Sequence, residues 1–520
     1  MAMVPEVWMA IAAVVLTVAA SAAMVPLVTM VRTFLWEPLR LRRIMAKQGV
    51  KGPPIRFFFG DSPEYGAYAQ AFPESLPLAF DDYAPTVTPH HALYFSKFGN
   101  RFVYSIGSET RLVVRDPEIA KEVLSNKMGF FERSPLELYV FSHVIGNGVF
   151  AVKGKEWAFQ RRILNPFFSQ ESLKAMVESV VKGAMEEIEK WEQMTTQAGG
   201  MLDYDVEHDI HIISGKIMSY TAFGDEFERG KQIYELQSET VGHLFAALSN
   251  PMFWIPGYRL LPTKEKKAMA QLDKRIERLA MEVIDARKEA VAKGERSSFG
   301  DDMLGLMLAD ANFDYSAVVN NCKNLFFAGQ DTSANLLSFS LVILANRPEW
   351  QHRAREEILE VLGDGETYTL NGISRLKVMG MIVNEVTRVF SISPSITRVA
   401  LKDFQLGDLF IPKGLAIEVA VLSMHRDPEF WGEDAAEFKP ERFANGLSEA
   451  CTNPNAFLPF GLGPRRCLGE KLALLEVKVV LAMILRRFHI LPSPHYRHHP
   501  HFAMVSCPKY GVPLVLKTLN

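Results

Sequence analysis

Cysteine is scarce in this chain. Only Cys322, Cys451, Cys467 and Cys507 occur in 520 residues. They are too few and too scattered for a disulfide framework, and they suit a reducing compartment. A single cysteine in a special local setting would therefore matter more than the count. An excess of one charge is also missing. Lys and Arg number 57 against 60 Asp and Glu, for a net charge of -3. No basic tract runs through the middle, so the electrostatic footprint of nucleic-acid binding is absent. There is no flavin or nicotinamide fingerprint rich in glycine. Any electrons the protein uses must come from elsewhere. Long linkers, low-complexity segments and internal repeats are missing too. That leaves one large body from about residue 55 onward.

The N-terminus holds what charge leaves out. Residues 7–31 carry no charged side chain, and the run is long enough to cross a bilayer as a helix. Pro26 lies near its end, where it is tolerated. Arg32, Arg40, Arg42, Arg43, Lys47 and Lys51 follow, and Glu6 precedes. The positive-inside rule then places the rest of the chain in the cytosol. The alternative is a cleaved signal peptide ending near Ala20-Ser21-Ala22, but it lacks the positive n-region such a peptide needs. Residues 1–31 are expected as an anchor helix, 32–54 as a basic, proline-rich hinge ending in Lys51-Gly52-Pro53-Pro54, and 55–520 as the body.

Within the body, residues 101–106 and 110–114 read as strands. Met269, Leu272, Ile276, Leu279 and Val283 recur at helical spacing between 264 and 293, with Gly294 as a stop. A second long helix is expected from 315 to 346, ending before Pro348. It is apolar almost all round and so belongs in the centre. Residues 502–506 and 512–516 read as a hairpin around 507–511. The fold class is mainly α with a minor β-sheet region. His495, His498, His499 and His501 do not match zinc spacing and read as a solvated loop.

The decisive segment runs Pro459-Phe460-Gly461-Leu462-Gly463-Pro464-Arg465-Arg466-Cys467-Leu468-Gly469-Glu470. An apolar periodic run follows, which puts Cys467 at the entrance to a helix. Unpaired amides and the positive helix end favour a thiolate there. Gly463 and Gly469 would let the backbone turn tightly and approach a flat ligand. A thiolate in this place is a nucleophile, a redox sensor or a metal ligand. A nucleophile wants a base, and no histidine lies nearby.

Through Phe460, Gly463, Arg465, Cys467 and Gly469 the segment fits F-x-x-G-x-R-x-C-x-G. In this it resembles the haem-binding signature of the cytochrome P450 family. Ala328-Gly329-Gln330-Asp331-Thr332 resembles the family's oxygen-groove motif in the central helix. Glu385-Val-Thr-Arg388 with Arg442 resembles its buried ion network. Trp157-Ala-Phe-Gln-Arg161 and Pro394-Ser-Ile-Thr-Arg398 are similar to segments that hold the haem propionates.

The resemblance implies the P450 fold and haem b on the Cys467 thiolate, a ligation that favours O–O cleavage. Trp157, Arg161, Arg398 and Arg465 would hold the propionates. Ala328, Gly329, Phe460 and Gly469 would lie close to the haem. Asp331 and Thr332 would deliver protons. It also implies an NADPH-fed reductase as partner, dioxygen and a hydrophobic small molecule as substrates, and an endoplasmic-reticulum membrane. Arg161, Arg162, Arg466, Lys471 and Lys478 are candidates for the face that meets the reductase.

In texture the chain is most similar to plant microsomal members acting on terpenoid hormones, other terpenoids and fatty acids. Gln330 departs from that group, which often has histidine there. A fatty-acid or steroid hydroxylase is the alternative, and an O2-independent haem-thiolate isomerase or dehydratase a further one. The pocket would be lined by 130–149, 241–261, the central helix before Thr332, 392–396 and 503–505.

Overall fold

In the computed structural model the described residues are 4–519 except 57, 77–82, 225, 256, 364 and 366, and only part of the first helix has described side chains. Helices dominate, as expected. The strands are β1 (Arg101–Ile106), β2 (Glu109–Val114), β3 (Phe131–Glu132), β4 (Met201–Asp205), β5 (Ile396–Ala400), β6 (Phe404–Leu406), β7 (Leu409–Ile411), β8 (Ala416–Val419), β9 (Phe488–Pro492), β10 (Pro500–Ala503), β11 (Val505–Pro508) and β12 (Pro513–Thr518). The main sheet has the order β1-β2-β8-β5-β3.

The helix Tyr315–Ala345 runs through the centre. Asp314 caps its start by accepting from Ala317 N at 2.8 Å. Its apolar side chains join those of helices Gln170–Gln197, Glu207–Ala222, Lys377–Val389 and Glu470–Arg487 in one large core. A second core lies under the main sheet. The helix Lys264–Ala292 forms as its spacing suggests, with Met269, Leu272, Ile276 and Val283 buried.

Three expectations change. The first concerns residues 32–54. They do not hang free: the helix Glu37–Lys47 buries Leu41 and Met45 in the core below the sheet. Arg42 bonds Asp61 at 2.6 Å, and Val103 N donates to Lys51 O at 2.9 Å. The basic residues thus find acids and carbonyls on the body, which a composition argument does not see.

The second concerns the C-terminal hairpin. β10 and β11 pair with each other through a turn at Met504, while β12 pairs with β4 and β9. Gly511, at φ +81°, lets the chain pass Asp205, whose Oδ1 accepts from Val512 N at 2.8 Å. The partner strands are far away in sequence, so local pattern suggested the wrong pair. The third concerns the histidines. His498 and His499 are buried rather than solvated. Tyr496 Oη meets His498 Nδ1 at 2.9 Å.

The first helix runs Val4–Val31. Among the described residues no helix is long and apolar enough to cross a membrane. The expected anchor falls largely on side chains outside the described set.

Elsewhere, the buried Glu418 of β8 draws three potential metal-ligand atoms together, with His90 Nε2 at 2.9 Å and His91 Nε2 at 2.8 Å from its Oε1. Its other oxygen takes Tyr104 at 2.7 Å and Arg111 at 3.0 Å. The guanidinium already supplies the positive charge, so the cluster reads as a fully bonded carboxylate under the sheet.

Candidate active site

The cysteine loop is held on both sides. Cys467 N donates to Phe460 O at 2.9 Å, closing the loop just before the helix Glu470–Arg487. Gly463 has φ +74°, and a Cβ there would overlap Leu124 O. Gly469 has an ordinary φ of -86°, and a Cβ there would meet Phe168 Cε1 at 3.8 Å. The tight turn against protein backbone is made by Gly463. Gly461, at φ +72°, is a second left-handed position that sequence reasoning passed over.

Behind the loop lies the ion network. Arg388 pairs with Glu385 through two bonds of 2.7 Å, both side chains wholly buried. Glu385 also accepts from Lys439 N at 2.8 Å and lies 3.5 Å from Arg442 Nε. Arg388 Nη1 donates to His425 O at 2.7 Å. His425 Nε2 accepts from Leu458 N at 2.8 Å, at the root of the cysteine loop. Burial, and then the nearby Arg388 cation, pushes His425 down to about 3. The ring is neutral and its Nε2 can accept. His425 thus connects Arg388 to the loop, a link with no short-motif signal.

The central helix packs on the helix that follows the cysteine loop. Ala328 is exposed although it lies in the middle of a buried helix. Thr332 is on the same face one turn on, and its Oγ1 donates to Ala328 O at 2.7 Å. The helix is continuous α through this motif. Gly329 is needed for packing: a Cβ there would overlap Met218 Sδ of the helix Glu207–Ala222. Gln330 is buried and donates to His211 O at 3.0 Å.

Asp331 turns away from Thr332. Tyr234 Oη donates to its Oδ1 at 2.9 Å, and His211 Nδ1 lies 4.0 Å from the same oxygen. Burial pushes the Asp331 carboxyl up to about 6, against the Tyr234 hydrogen bond. His211 is pushed down to about 4 by burial and then by His208, so the ring meets Asp331 as a neutral imidazole and not as a cation.

The arginines gather as cations short of partners. Arg398 of β5 is buried and donates to Thr397 O at 2.8 Å, with no carboxylate partner among the described residues. Burial and then Arg133 push it down to about 10. Arg465 reaches Val152 O at 2.8 Å and Glu132 only at 3.5 Å, and lies over the Trp157 ring at 4.6 Å. Arg133, unmarked in the sequence, pairs with Glu137 at 2.6 Å beside them. Arg161 is placed differently. It donates to Arg466 O at 2.9 Å and so braces the cysteine loop.

Of the expected partner-facing cations, Arg162, Arg466 and Lys471 are exposed, and Arg466 is already paired with Glu470 at 2.5 Å. Lys478 packs over Gly380, and burial lowers it.

Cys467 is open to solvent, yet burial around its sulfur pushes the thiol up, against the Gly469 amide, with Glu470 adding and Arg161 opposing. A coordinated cation would hold the sulfur as thiolate against that burial. An open cysteine, an exposed alanine on the central helix, and the buried Arg398 with the half-buried Arg465 fit a flat metallated ring bearing carboxylates. A haem meets each of those demands.

Around Phe327 of the central helix an apolar cluster joins Val144, Ile145, Leu244 and Met504 with Tyr139, Phe141, Phe150, Val241 and Phe245. It draws on most of the expected lining. The exceptions are 392–396, where Ile392 packs on the large core and Ile396 on the core under the sheet, and 251–261. Trp254 packs on Gly107 at the β1–β2 turn, and Leu260 is 85% exposed.

The family model for cytochrome P450 matches residues 85–513. Over 498 residues the chain is 36% identical to 7-deoxyloganic acid hydroxylase of Catharanthus roseus, covering 93% of this chain and 94% of that protein. It is 33% identical to cytokinin hydroxylase of Arabidopsis thaliana over 492 residues, covering 93% and 94%. Cytochrome P450 734A1 of the same plant is 33% identical over 490 residues, covering 93% of each. With the cysteine loop, its buried ion network and the arginine cluster in place, the chain belongs to the cytochrome P450 family, the haem-thiolate monooxygenases that draw electrons from a redox partner.

Proposed function

We propose that this monooxygenase hydroxylates a hydrophobic terpenoid or isoprenoid-hormone-like molecule with electrons from NADPH, passed on by a membrane-bound reductase. The carrying observation is the apolar cluster around Phe327 of the central helix, in which the Phe150 carbonyl accepts from Arg465 of the cysteine loop at 3.4 Å. Such a pocket takes an apolar ligand and leaves few groups to orient it. The relatives named 7-deoxyloganic acid hydroxylase and cytokinin hydroxylase support hydroxylation of a small molecule.

When bound, the thiolate-ligated haem supplies cleavage of dioxygen, with one atom entering the substrate and one leaving as water. Cys467 would hold its iron through the thiolate. Arg398, Arg465 and Trp157 would hold its carboxylates, with Arg133 adding charge and Arg161 bracing the loop. The apolar cluster would exclude water and bind the substrate. Thr332 Oγ1, freed from Ala328 O, can donate and accept at the open face, and Asp331 can hold a proton one residue away.

An endoplasmic-reticulum anchor is part of the same proposal. Its support is the uncharged run 7–31 on a helix whose described side chains, among them Trp8, Val15, Leu16 and Leu27, are exposed. The test is reconstitution with a plant NADPH reductase and panels of terpenoids, steroids and fatty acids. Product carrying one labelled atom from 18O2, formed only with NADPH, is expected from the terpenoid panel. Turnover confined to fatty acids or steroids would replace the substrate class. Product without NADPH would overturn the reaction.

A further inference from the structure

The Asp331 carboxyl lies where bulk water does not reach freely, since its side chain is 13% exposed. A group that hands protons inward must itself be refilled. The question is what touches it.

We propose that Glu207, His211 and Tyr234 form a proton relay that ends on Asp331, a route that rests on the monooxygenase reading above. Tyr234 Oη sits between two groups, 2.9 Å from Asp331 Oδ1 and 3.0 Å from His211 Nδ1. A phenol has one proton to give. When Asp331 is ionised it can only accept, so Tyr234 donates to it and accepts from His211 Nδ1–H. When Asp331 is protonated, the same two bonds can reverse. The chain of bonds therefore exists in both states of the acid.

The tyrosine and histidine rings stack at 5.8 Å and 26°, which fixes their facing. Gln330 Nε2 on His211 O adds a second tie from the central helix.

The outer end follows from helix geometry. Glu207 and His211 are four residues apart on the helix Glu207–Ala222, hence on one face. Glu207 is half-buried, while Asp205 and His208 beside it are exposed. Burial, then Asp205 and Asp331, raises Glu207 to about 7, close to the acid it would refill. His211 does not need to rest as a cation. A proton arriving at Nε2 lets the Nδ1 proton leave to Tyr234 Oη, whose own proton goes to Asp331 Oδ1. One proton has moved and each relay residue stays neutral; His211 ends as its Nε2–H tautomer, so His211 and Tyr234 must turn back before the next proton passes.

The other titratable neighbours do not compete. Cys507 of β11 is raised to about 12 by burial, then Asp331 and Glu207, and stays a thiol. Burial and then Glu207 raise Tyr496, which stays a phenol.

The test uses the holoenzyme without substrate. Tyr234→Phe keeps the ring and removes the hydroxyl. Infrared difference titration, with Asp331→Asn identifying the carboxyl band, reads the acid directly. The Tyr234 bond lowers Asp331, so Tyr234→Phe should shift its titration to higher pH. NADPH oxidation with reductase should fall roughly tenfold, a typical general acid–base effect being 10²–10⁴, and its solvent isotope effect should rise. His211→Gln is the second variant, for use if Tyr234→Phe fails to hold haem. It should lower NADPH oxidation and change its pH profile.

A retained carbon monoxide band shows that the fold and haem survive. If wild type lacks that band, the monooxygenase reading fails. If the band is present but the variants titrate and oxidise NADPH like wild type, the relay alone is overturned.

Discussion

Thr332 and Cys467 each sit in an arrangement that differs from their expected working state. The Thr332 hydroxyl donates to Ala328 O, so to act on a bound molecule it must rotate from that bond. Thr332→Ala should leave fold, haem content and substrate binding nearly unchanged. Product per NADPH should fall and hydrogen peroxide should rise, measured together in one reconstituted assay. Unchanged coupling on the true substrate would remove Thr332 from the proton path. Cys467→Ser should abolish the long-wavelength band of the reduced carbon monoxide complex, and survival of that band would disprove the ligand. Both residues were legible in the sequence because their motifs are local. Arg133, His425 and Tyr234 were not, because their meaning comes from partners far away in the chain.

At the scale of elements, the cysteine loop depends on the helix Lys377–Val389. Glu385 and Arg388 are wholly buried, and removing one partner leaves an uncompensated charge. Glu385→Ala should cost about 3–5 kcal/mol, read by thermal melting, and should lower haem occupancy through His425 and the Leu458 amide. Normal occupancy in a destabilised variant would separate the network from the loop.

A second buried acid ties three helices together. Glu476 accepts from Ser214 Oγ at 2.6 Å, with Ser333 also bonded, and burial raises it from 4.5 to about 8. Folding thus takes up a proton between those values. Stability from this group is full below 4.5 and is lost as pH rises through 8. Glu476→Gln should flatten melting temperature across that window, and curves parallel to wild type would contradict the assignment. The helices themselves were legible from period and caps. The continuous α geometry at Gly329 was not, because the need for glycine is set by Met218 on another helix.

For the whole molecule, the sequence pattern suggested an anchor, a hinge and a body, and the middle part is where it diverges. The body's helical character and the site's opposing halves follow from motifs that survive any rearrangement of loops. The packing of 32–54 does not, because its basic residues read alike whether they face lipid headgroups or Asp61. That difference can be measured by truncation. Deleting residues 1–31 should release much of the protein from membranes while leaving haem uptake and melting temperature near those of the full chain. Release should be partial, because Met252, Leu260 and Leu261 remain as exposed apolar side chains on the body. Deleting residues 1–47 should behave differently. It removes Leu41 and Met45 from the core under the sheet and breaks the Arg42–Asp61 pair. Truncating one such side chain typically costs about 2–5 kcal/mol, so losing both should drop the melting temperature sharply and lower haem yield. Equal melting temperatures for the two deletions would show that 32–47 is an independent tether, and the docked helix would have no part in stabilising the body.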